Sequence, residues 1–330
     1  MTADSNNMNE LIQNSKSTFT KIFDELSKAV IGQEETLEHI IITLIGGGHG
    51  LLIGVPGLGK TMIVKTIAKI FDLNFKRIQF TPDLMPADII GTDILEEDKM
   101  TGKREIKFVK GPVFTNILLA DEINRTPPKT QAALLEAMGE NQVTASGNTF
   151  ILEPPFFTLA SQNPIEQEGT YPLPEAQLDR FLMSIQLDYL PLEHEIKMVQ
   201  MTTSNTPMEV NTVITAEEII AIQALVKEIP VPDNILEYAV SLAYSTRPNT
   251  KHSSETANKY VRYGAGSRAS QALITASKAK ALMDGRVNAS IEDVKAIAKP
   301  VLRHRIALNF KANADGIQLD DLLNEWINKN

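Results

Sequence analysis

Residues 51–61 read Leu-Leu-Ile-Gly-Val-Pro-Gly-Leu-Gly-Lys-Thr, and they contain the clearest motif of the chain. A short apolar run that ends at Gly54 is typical of a buried strand. Gly54, Gly59, Lys60 and Thr61 complete the G-x-x-x-x-G-K-[ST] spacing of a phosphate-binding loop. An apolar pattern at helical spacing follows directly. A strand, a glycine-rich loop and a helix in this order predict a nucleotide-binding α/β fold.

The residue types of this loop suit phosphate binding. Glycines let the backbone turn so that its N–H groups point inward, and the N-terminus of the next helix adds a favourable dipole. We expect Lys60 to reach the β- and γ-phosphates of a nucleotide and the Thr61 hydroxyl to bind Mg²⁺. The expected nucleotide-binding residues in this stretch are Gly54, Pro56, Gly57, Leu58, Gly59, Lys60, Thr61 and Met62.

Two acidic residues follow a second apolar run. Residues 116–121 end at Asp121, and Glu122 follows directly. Ligands bind at the carboxyl ends of parallel strands, so we expect Asp121 to hold Mg²⁺ through its water shell. Glu122 is then the expected general base that polarises an attacking water. An isolated Asp-Glu pair is usually only solvated charge, but beside a phosphate loop it indicates nucleotide hydrolysis.

Three further polar residues are candidates that spacing alone does not decide. Asn163 follows the predicted strand 156–161, which should lie beside the loop strand, where an amide could orient the water. Asparagine before proline is equally common as turn chemistry. Arg180 and Arg268 lie where arginines usually face solvent. Phosphoryl transfer gains from an arginine that stabilises developing charge, so both arginines stay candidates.

The chain divides into two parts by its pattern. Strands alternate with helices between residues 50 and 187, which predicts a parallel sheet with helices on both faces. From residue 191 the pattern is all-helical. The predicted units are a disordered N-terminus at 1–18, an α/β core at 19–190 and a helical domain at 191–330.

Composition limits the classes of function. The 330 residues are 43% hydrophobic and 22% charged, which is ordinary for a globular protein. A formal net charge of −9 argues against a dedicated nucleic-acid binder. Cysteine is absent, which excludes disulfides and thiolate metal sites. The N-terminus lacks a signal segment and no apolar stretch is long enough to span a bilayer, so we expect a cytoplasmic protein.

Several motifs together resemble one known family. Besides the phosphate loop they are Leu-Leu-Ala-Asp-Glu-Ile-Asn-Arg at 118–125, Leu-Leu-Glu-Ala-Met at 134–138, Ala-Ser-Gln-Asn-Pro at 160–164, Leu-Pro-Glu-Ala-Gln-Leu-Asp-Arg-Phe at 173–181, Gly-Ala-Gly-Ser-Arg-Ala at 264–269 and Val-Leu-Arg-His-Arg-Ile at 301–306. The sequence closely resembles MoxR-family AAA+ ATPases over nearly everything after the first twenty residues. The resemblance implies a P-loop NTPase sheet sandwiched by helices, a small helical lid, and ATP with Mg²⁺ bound between them.

The resemblance also implies roles for single residues in a homo-hexameric ring, where one subunit completes its neighbour's site. Asn163 becomes sensor 1, Arg180 the arginine finger acting in trans, and Arg268 the sensor 2 arginine that reaches from the lid. Arg125 remains a competing trans arginine, because it also follows the acidic strand tip. Ile31 would lie beside the adenine.

Two further segments match this family by position. The resemblance implies a helix-2 insertion at 81–111, with a hairpin turn at 99–102, and a hairpin before sensor 1 at 142–151. Gly266 and Ser267 replace the Ser-Pro that usually precedes the sensor 2 arginine, so a rigid helix start is missing.

The function implied by the resemblance is ATP hydrolysis that drives chaperone-like remodelling or maturation of other proteins. A von Willebrand factor A domain protein is the implied partner, and metal-cofactor insertion or complex assembly are the implied tasks. Two alternatives stay open. A DNA-associated AAA+ motor is opposed by the acidic charge and the lack of nucleic-acid-binding motifs. A nucleotide-dependent scaffold with little turnover is opposed by Lys60, Asp121, Glu122 and Asn163.

Overall fold

The computed structural model describes residues 3–97, 104–145, 147–165, 169–203 and 209–329. The helices are α1 Ala3–Ser27, α2 Glu34–Ile45, α3 Lys60–Ile70, α4 Pro86–Ile90, α5 Pro128–Glu140, α6 Glu175–Leu178, α7 Leu192–Thr202, α8 Ala216–Glu228, α9 Asp233–Ser245, α10 Glu255–Tyr260, α11 Ser267–Met283, α12 Ile291–Leu302, α13 Phe310–Ala314 and α14 Leu319–Lys329. The strands are β1 Gly50–Ile53, β2 Phe75–Gln79, β3 Gly91–Glu97, β4 Arg104–Lys110, β5 Ile117–Asp121, β6 Gln142–Ala145, β7 Asn148–Ile151, β8 Phe157–Gln162, β9 Met183–Gln186, β10 Val261–Tyr263 and β11 Ala307–Leu308.

A five-stranded parallel sheet in the order β2-β5-β8-β1-β9 forms the centre of the molecule. The predicted parallel sheet is therefore confirmed, and the strand before Asn163 does lie beside the loop strand, with Gly50 opposite Leu159. Because all five strands run the same way, their carboxyl ends meet at one edge of the sheet. The phosphate loop, Asp121 and Asn163 all follow strands at this edge, which we call the carboxyl edge.

Both faces of the sheet are buried, as its apolar strands require. Leu51 and Leu118 belong to a hydrophobic cluster on one face, which includes residues of α5 and β6. Their neighbours Leu52 and Leu119 belong to a second cluster, which includes residues of α1, α2, α3 and the C-terminal helices. Successive side chains of a strand point to opposite faces, so each strand supplies both clusters. The helical part of the chain thus shares one continuous core with one face of the sheet.

The helices from α8 onward pack on each other and on the core. α11 contacts α2, α8, α9 and α12, and α12 also packs against β9. β10 and β11 form a short antiparallel pair within this otherwise helical region. No helix among the described residues is both long and apolar enough to cross a membrane.

Two hairpins project from the core, as the sequence predicts. β3 pairs with β4 inside the insertion at 81–111, and β6 pairs with β7 before β8. The predicted turn at 99–102 lies outside the described residues. Phe108 of β4 stacks on Phe150 of β7 with ring centroids 4.4 Å apart. This aromatic contact ties the two hairpins together.

The N-terminus is expected from its sequence to be disordered at 1–18, whereas the structure describes residues 3–18 as part of α1. Ile12 is fully buried, and Ser15 is 7% exposed. α1 packs against both α3 and α11, and the Gln13 side chain donates a hydrogen bond to the Gly285 carbonyl at 3.0 Å. A polar segment with few apolar residues is ordered here because the C-terminal helices supply the other half of its core.

We expect Ile12→Ala to lower the free energy of unfolding by about 2–5 kcal/mol, because it removes a fully buried side chain and leaves a cavity. Leu11 is the matched control, since it is the adjacent aliphatic residue and its side chain is 46% exposed. Denaturant unfolding of both variants measures the difference. Equal, small effects of Ile12→Ala and Leu11→Ala would contradict the packing of α1.

Candidate active site

The phosphate loop joins the end of β1 to the first turn of α3. Gly57 and Gly59 have φ of +88° and +76°, a left-handed conformation that residues with a Cβ rarely adopt. A Cβ built on Gly57 would meet no atom within 4 Å, so the backbone conformation, not crowding, requires glycine there. α3 begins at Lys60, so the free N–H groups of its first turn face the loop. This geometry forms an anion cradle at the carboxyl edge.

Lys60 reaches back across this cradle. Its Nζ donates a hydrogen bond to the Gly54 carbonyl oxygen at 2.5 Å. Burial lowers the pKa of Lys60, and the negative charges of Asp121 and Glu122 oppose that shift. The two acids therefore lie close enough to Lys60 for their negative charge to act on it.

Asp121 is held by two side chains that sequence reasoning missed. Its Oδ2 accepts hydrogen bonds from Nε and Nη2 of Arg77 at 3.1 and 2.7 Å, and its Oδ1 accepts one from the Ser161 hydroxyl at 2.5 Å. Arg77 lies on β2, the strand beside β5, and Ser161 lies on β8, on the other side of β5. The motif at 160–164 contained Ser161, but its role depends on strand order, which a single motif does not reveal.

Glu122 adopts a left-handed backbone conformation, with φ of 58°, which is unusual for a residue with a side chain. Such a conformation costs about 1–3 kcal/mol and persists only where the surroundings impose it. The Glu122 amide donates to the Ser161 hydroxyl at 2.9 Å, and Oε2 accepts from Gln79 Nε2 at 2.6 Å. Arg125 Nε lies 3.1 Å from the same Oε2. The carboxylate is thus oriented at the carboxyl edge, with Arg125 beside it.

Asn163 is 5% exposed and lies at the end of β8. Its side-chain Oδ1 accepts a hydrogen bond from the Ile165 amide at 3.1 Å. The residue thus lies beside the phosphate-loop strand, and its amide oxygen accepts the hydrogen bond of a turn.

The residues at this edge fit a magnesium nucleotide. Thr61 offers a hydroxyl and Asp121 a carboxylate, which are the hard oxygen ligands that Mg²⁺ prefers. Near the expected adenine position, Ile31 precedes Gly32, whose φ is +69°. A Cβ on Gly32 would come 2.3 Å from His194 Nδ1, so the start of α7 lies directly against this segment. His194 is a third residue that sequence reasoning did not place at this site, after Arg77 and Ser161.

The structure does not bring Arg180 and Arg268 to the phosphate loop of their own chain. Arg180 precedes β9, and β9 runs parallel to β1 with Met183 opposite Gly50. The arginine therefore lies at the amino edge of the sheet, separated from the loop by a four-residue strand of about 3.3 Å per residue. Its Nη1 donates to the Leu135 carbonyl at 2.7 Å.

Arg268 also lies at the amino edge. Its Nη1 is 3.9 Å from Asp179 Oδ2, and its side chain is 60% exposed. α11 begins at Ser267 although the usual proline is missing, and its packing against α2 and α12 sets this position. Within one chain, Arg268 therefore lies at the opposite edge of the sheet from the phosphate loop. Arg180, Arg268 and Arg305 line one open cleft of about 460 Å³.

A parallel sheet of this order, a phosphate loop after β1, two acids at the tip of β5 and a helical C-terminal region define an AAA+ type P-loop NTPase. Comparison with known proteins agrees. Residues 49–183 match the model of the ATPase family associated with various cellular activities, and residues 253–326 match the AAA lid domain.

Three relatives cover nearly the whole chain. The uncharacterized protein YeaC of Bacillus subtilis is 41% identical over 92% of this chain and 92% of its own length. Chaperone MoxR1 of Mycobacterium tuberculosis is 39% identical over 93% of this chain and 80% of its own. The crystal structure of a candidate ATPase from Cytophaga hutchinsonii superposes with a TM-score of 0.91 at 40% identity, covering 100% of this chain and 99% of that one. The chain belongs to the MoxR family of AAA+ ATPases.

Proposed function

We propose that this protein hydrolyses ATP with Mg²⁺ at sites that two neighbouring subunits of a homo-hexameric ring share, and that this drives remodelling or maturation of partner proteins. One observation carries the proposal. The phosphate loop lies at the carboxyl edge of the sheet, whereas Arg180 and Arg268 line a cleft at the amino edge. A neighbouring subunit that turns its amino edge toward this carboxyl edge would supply both arginines.

The reaction is the attack of water on the γ-phosphate of ATP. Glu122 would accept the proton of the attacking water, and its contacts with Gln79 and the Ser161 hydroxyl support a fixed direction of approach. Lys60 would neutralise charge on the β- and γ-phosphates. Thr61 and Asp121 would hold Mg²⁺, which supplies further positive charge at the phosphate oxygens.

Three residues would complete the site. Asn163 would orient the attacking water from the end of β8. From the neighbouring subunit, Arg180 would stabilise the charge that develops on the transferred phosphoryl group, and Arg268 would contact the same phosphates.

Arg125 is the weaker candidate for the trans arginine. It lies within its own carboxyl edge and its Nε is 3.1 Å from Glu122 Oε2. An arginine already paired with the proposed general base of the same chain is poorly placed to enter a neighbour's site. Arg180 is exposed and lies at the amino edge of the sheet, and this position favours a role in trans.

The work done by hydrolysis is proposed from the family. One relative is named a chaperone, which supports action on other proteins. The hairpins β3–β4 and β6–β7 expose apolar side chains: Leu95 is 63%, Ile106 74% and Ile151 79% exposed. These side chains offer a surface for a protein client. We infer a von Willebrand factor A domain protein as the partner from family membership, with metal-cofactor insertion or complex assembly as the tasks.

The test mixes two inactive variants. Glu122→Gln keeps Arg180 but lacks the general base, and Arg180→Ala keeps Glu122 but lacks the finger. Each is expected to be inactive alone. In randomly mixed rings, about a quarter of the interfaces pair an intact loop with an intact finger, because every interface is a head-to-tail contact. We expect ATP turnover at about that fraction of wild type. Mixed rings, detected by native mass spectrometry, that show no turnover would overturn the shared site.

A further inference from the structure

The 3₁₀ turn Arg303–Arg305, which follows α12, contacts the core segment that carries Arg180. We propose that Arg305 is a positioning residue for Arg180, so that this turn of the C-terminal region aims the trans arginine at the neighbouring subunit's nucleotide. The inference rests on the proposed function, because it assumes that Arg180 acts across a subunit interface.

Arg305 binds the residues on both sides of Arg180. Its Nε donates to Asp179 Oδ1 at 2.7 Å, its Nη2 to the Phe181 carbonyl at 2.6 Å and its Nη1 to the Leu182 carbonyl at 3.1 Å. The preceding residue, His304, donates from Nε2 to the same Phe181 carbonyl at 3.0 Å. The segment that carries Arg180 is therefore held from outside at the Asp179 side chain and at the backbone carbonyls of Phe181 and Leu182.

The protonation states fit this arrangement. Burial and the neighbouring positive charge of Arg305 lower the pKa of His304 well below its usual range, so its ring is neutral and can carry the Nε2 proton. Burial also lowers the pKa of Arg305, and the hydrogen bond with Asp179 opposes that shift. A guanidinium is a planar fork with five N–H donors, which suits one carboxylate and several carbonyls at once. A lysine could not form the same set of hydrogen bonds.

Burial separates the role of Arg305 from that of Arg180. The Arg305 side chain is 3% exposed, so it cannot reach a phosphate of another subunit. The Arg180 side chain is exposed and follows the surface of α5, where a Cβ on Gly139 would come 2.1 Å from its Nη1. Arg305 thus acts through the chain that carries the exposed arginine.

Asp179 links this contact to the second exposed arginine. One of its oxygens, Oδ1, accepts from Arg305, and the other, Oδ2, lies 3.9 Å from Arg268 Nη1. A shift of the Arg303–Arg305 turn would therefore move the supports of Arg180 and Arg268 together. A misplacement of about 1 Å in a reacting group can cost roughly 10²-fold in rate, so this support has a measurable consequence.

The test uses Arg305→Lys in full-length protein, with Asp179→Asn as a second variant that removes the carboxylate partner but leaves the carbonyl contacts. We expect kcat for ATP hydrolysis to fall roughly 10²-fold for Arg305→Lys, with KM for ATP unchanged. Arg303→Lys is the matched control. Arg303 lies in the same turn but donates to Asp320 of α14, at 2.8 and 2.6 Å, so its loss should spare kcat.

Mixing separates a positioning role from a folding role. The Arg305→Lys variant keeps an intact phosphate loop, and the Glu122→Gln variant keeps a well-placed Arg180. Mixing the two should therefore restore ATP turnover, as mixing Glu122→Gln with Arg180→Ala should. Mixing Arg305→Lys with Arg180→Ala should restore nothing, because neither supplies a placed finger. We expect the same two results for Asp179→Asn: turnover restored by Glu122→Gln and not by Arg180→Ala.

Two outcomes overturn the inference. One is wild-type kcat for both Arg305→Lys and Asp179→Asn. The other is that Glu122→Gln rescues Arg180→Ala but neither of these variants, which would mean that the contact serves only folding. Failure of Glu122→Gln to rescue Arg180→Ala itself would instead reject the shared site proposed above, so the two failures are distinguishable.

Discussion

Replacing Arg180 with alanine is expected to lower kcat for ATP hydrolysis by roughly 10³–10⁵-fold while leaving the Kd for ATP unchanged, because an arginine finger stabilises charge that develops only in the transition state. The position of Arg180 supports an effect on kcat without an effect on the Kd for ATP. It lies at the amino edge of the sheet, away from the loop that would bind the ground-state nucleotide in its own chain.

Steady-state turnover and equilibrium binding of a fluorescent ATP analogue measure the two quantities. Arg180→Lys is the matched variant, since it keeps the charge but loses the planar fork, and it should recover only part of the rate. Thermal unfolding checks that losing the hydrogen bond to the Leu135 carbonyl does not unfold α5. Equal losses of binding and turnover would argue against action in trans.

Glu122→Gln carries the second large effect, an expected fall of roughly 10²–10⁴-fold in kcat, because the substitution removes the general base. Glutamine has nearly the same shape as glutamate and keeps one side-chain oxygen that can accept from Gln79. ATP binding should therefore persist, and the variant should accumulate in the ATP-bound state.

Single-turnover hydrolysis, measured with saturating protein, separates this chemical step from binding. Glu136→Gln provides the control, since Glu136 is an exposed carboxylate on α5 and its loss changes the charge by the same amount. If turnover by Glu122→Gln matched that of Glu136→Gln, the assignment of Glu122 as general base would fail. A nucleotide-dependent scaffold with little turnover would then be the favoured function.

The carboxylate pair also shows how the sheet prepares a site. Asp121 accepts from Arg77 on one neighbouring strand and from Ser161 on the other. Ser161 accepts in turn from the Glu122 amide, so one hydroxyl contacts both acids. Such supporting contacts fix the direction of the acidic side chains before any nucleotide binds.

The class of fold and the phosphate-binding loop follow from local sequence. A phosphate loop is a contiguous motif whose geometry depends on glycine conformations and on the next helix, so its residues identify it without the rest of the chain. Apolar runs that end in polar residues likewise predicted β5 and β8, because buried parallel strands need such runs. The family resemblance joined these motifs into one architecture.

The edge of the sheet that each distant residue occupies depends on how the whole chain packs. Arg268 lies near Asp179, not near the loop, because the packing of α11 against α2 and α12 sets its position. α1 is ordered because it packs against α11, which lies more than 200 residues further along the chain, and Ile12 belongs to the same hydrophobic cluster. Arg77, Ser161 and Arg305 act through partners between 39 and 126 residues away in sequence. Local patterns report local conformation, whereas these contacts depend on how separate segments pack together.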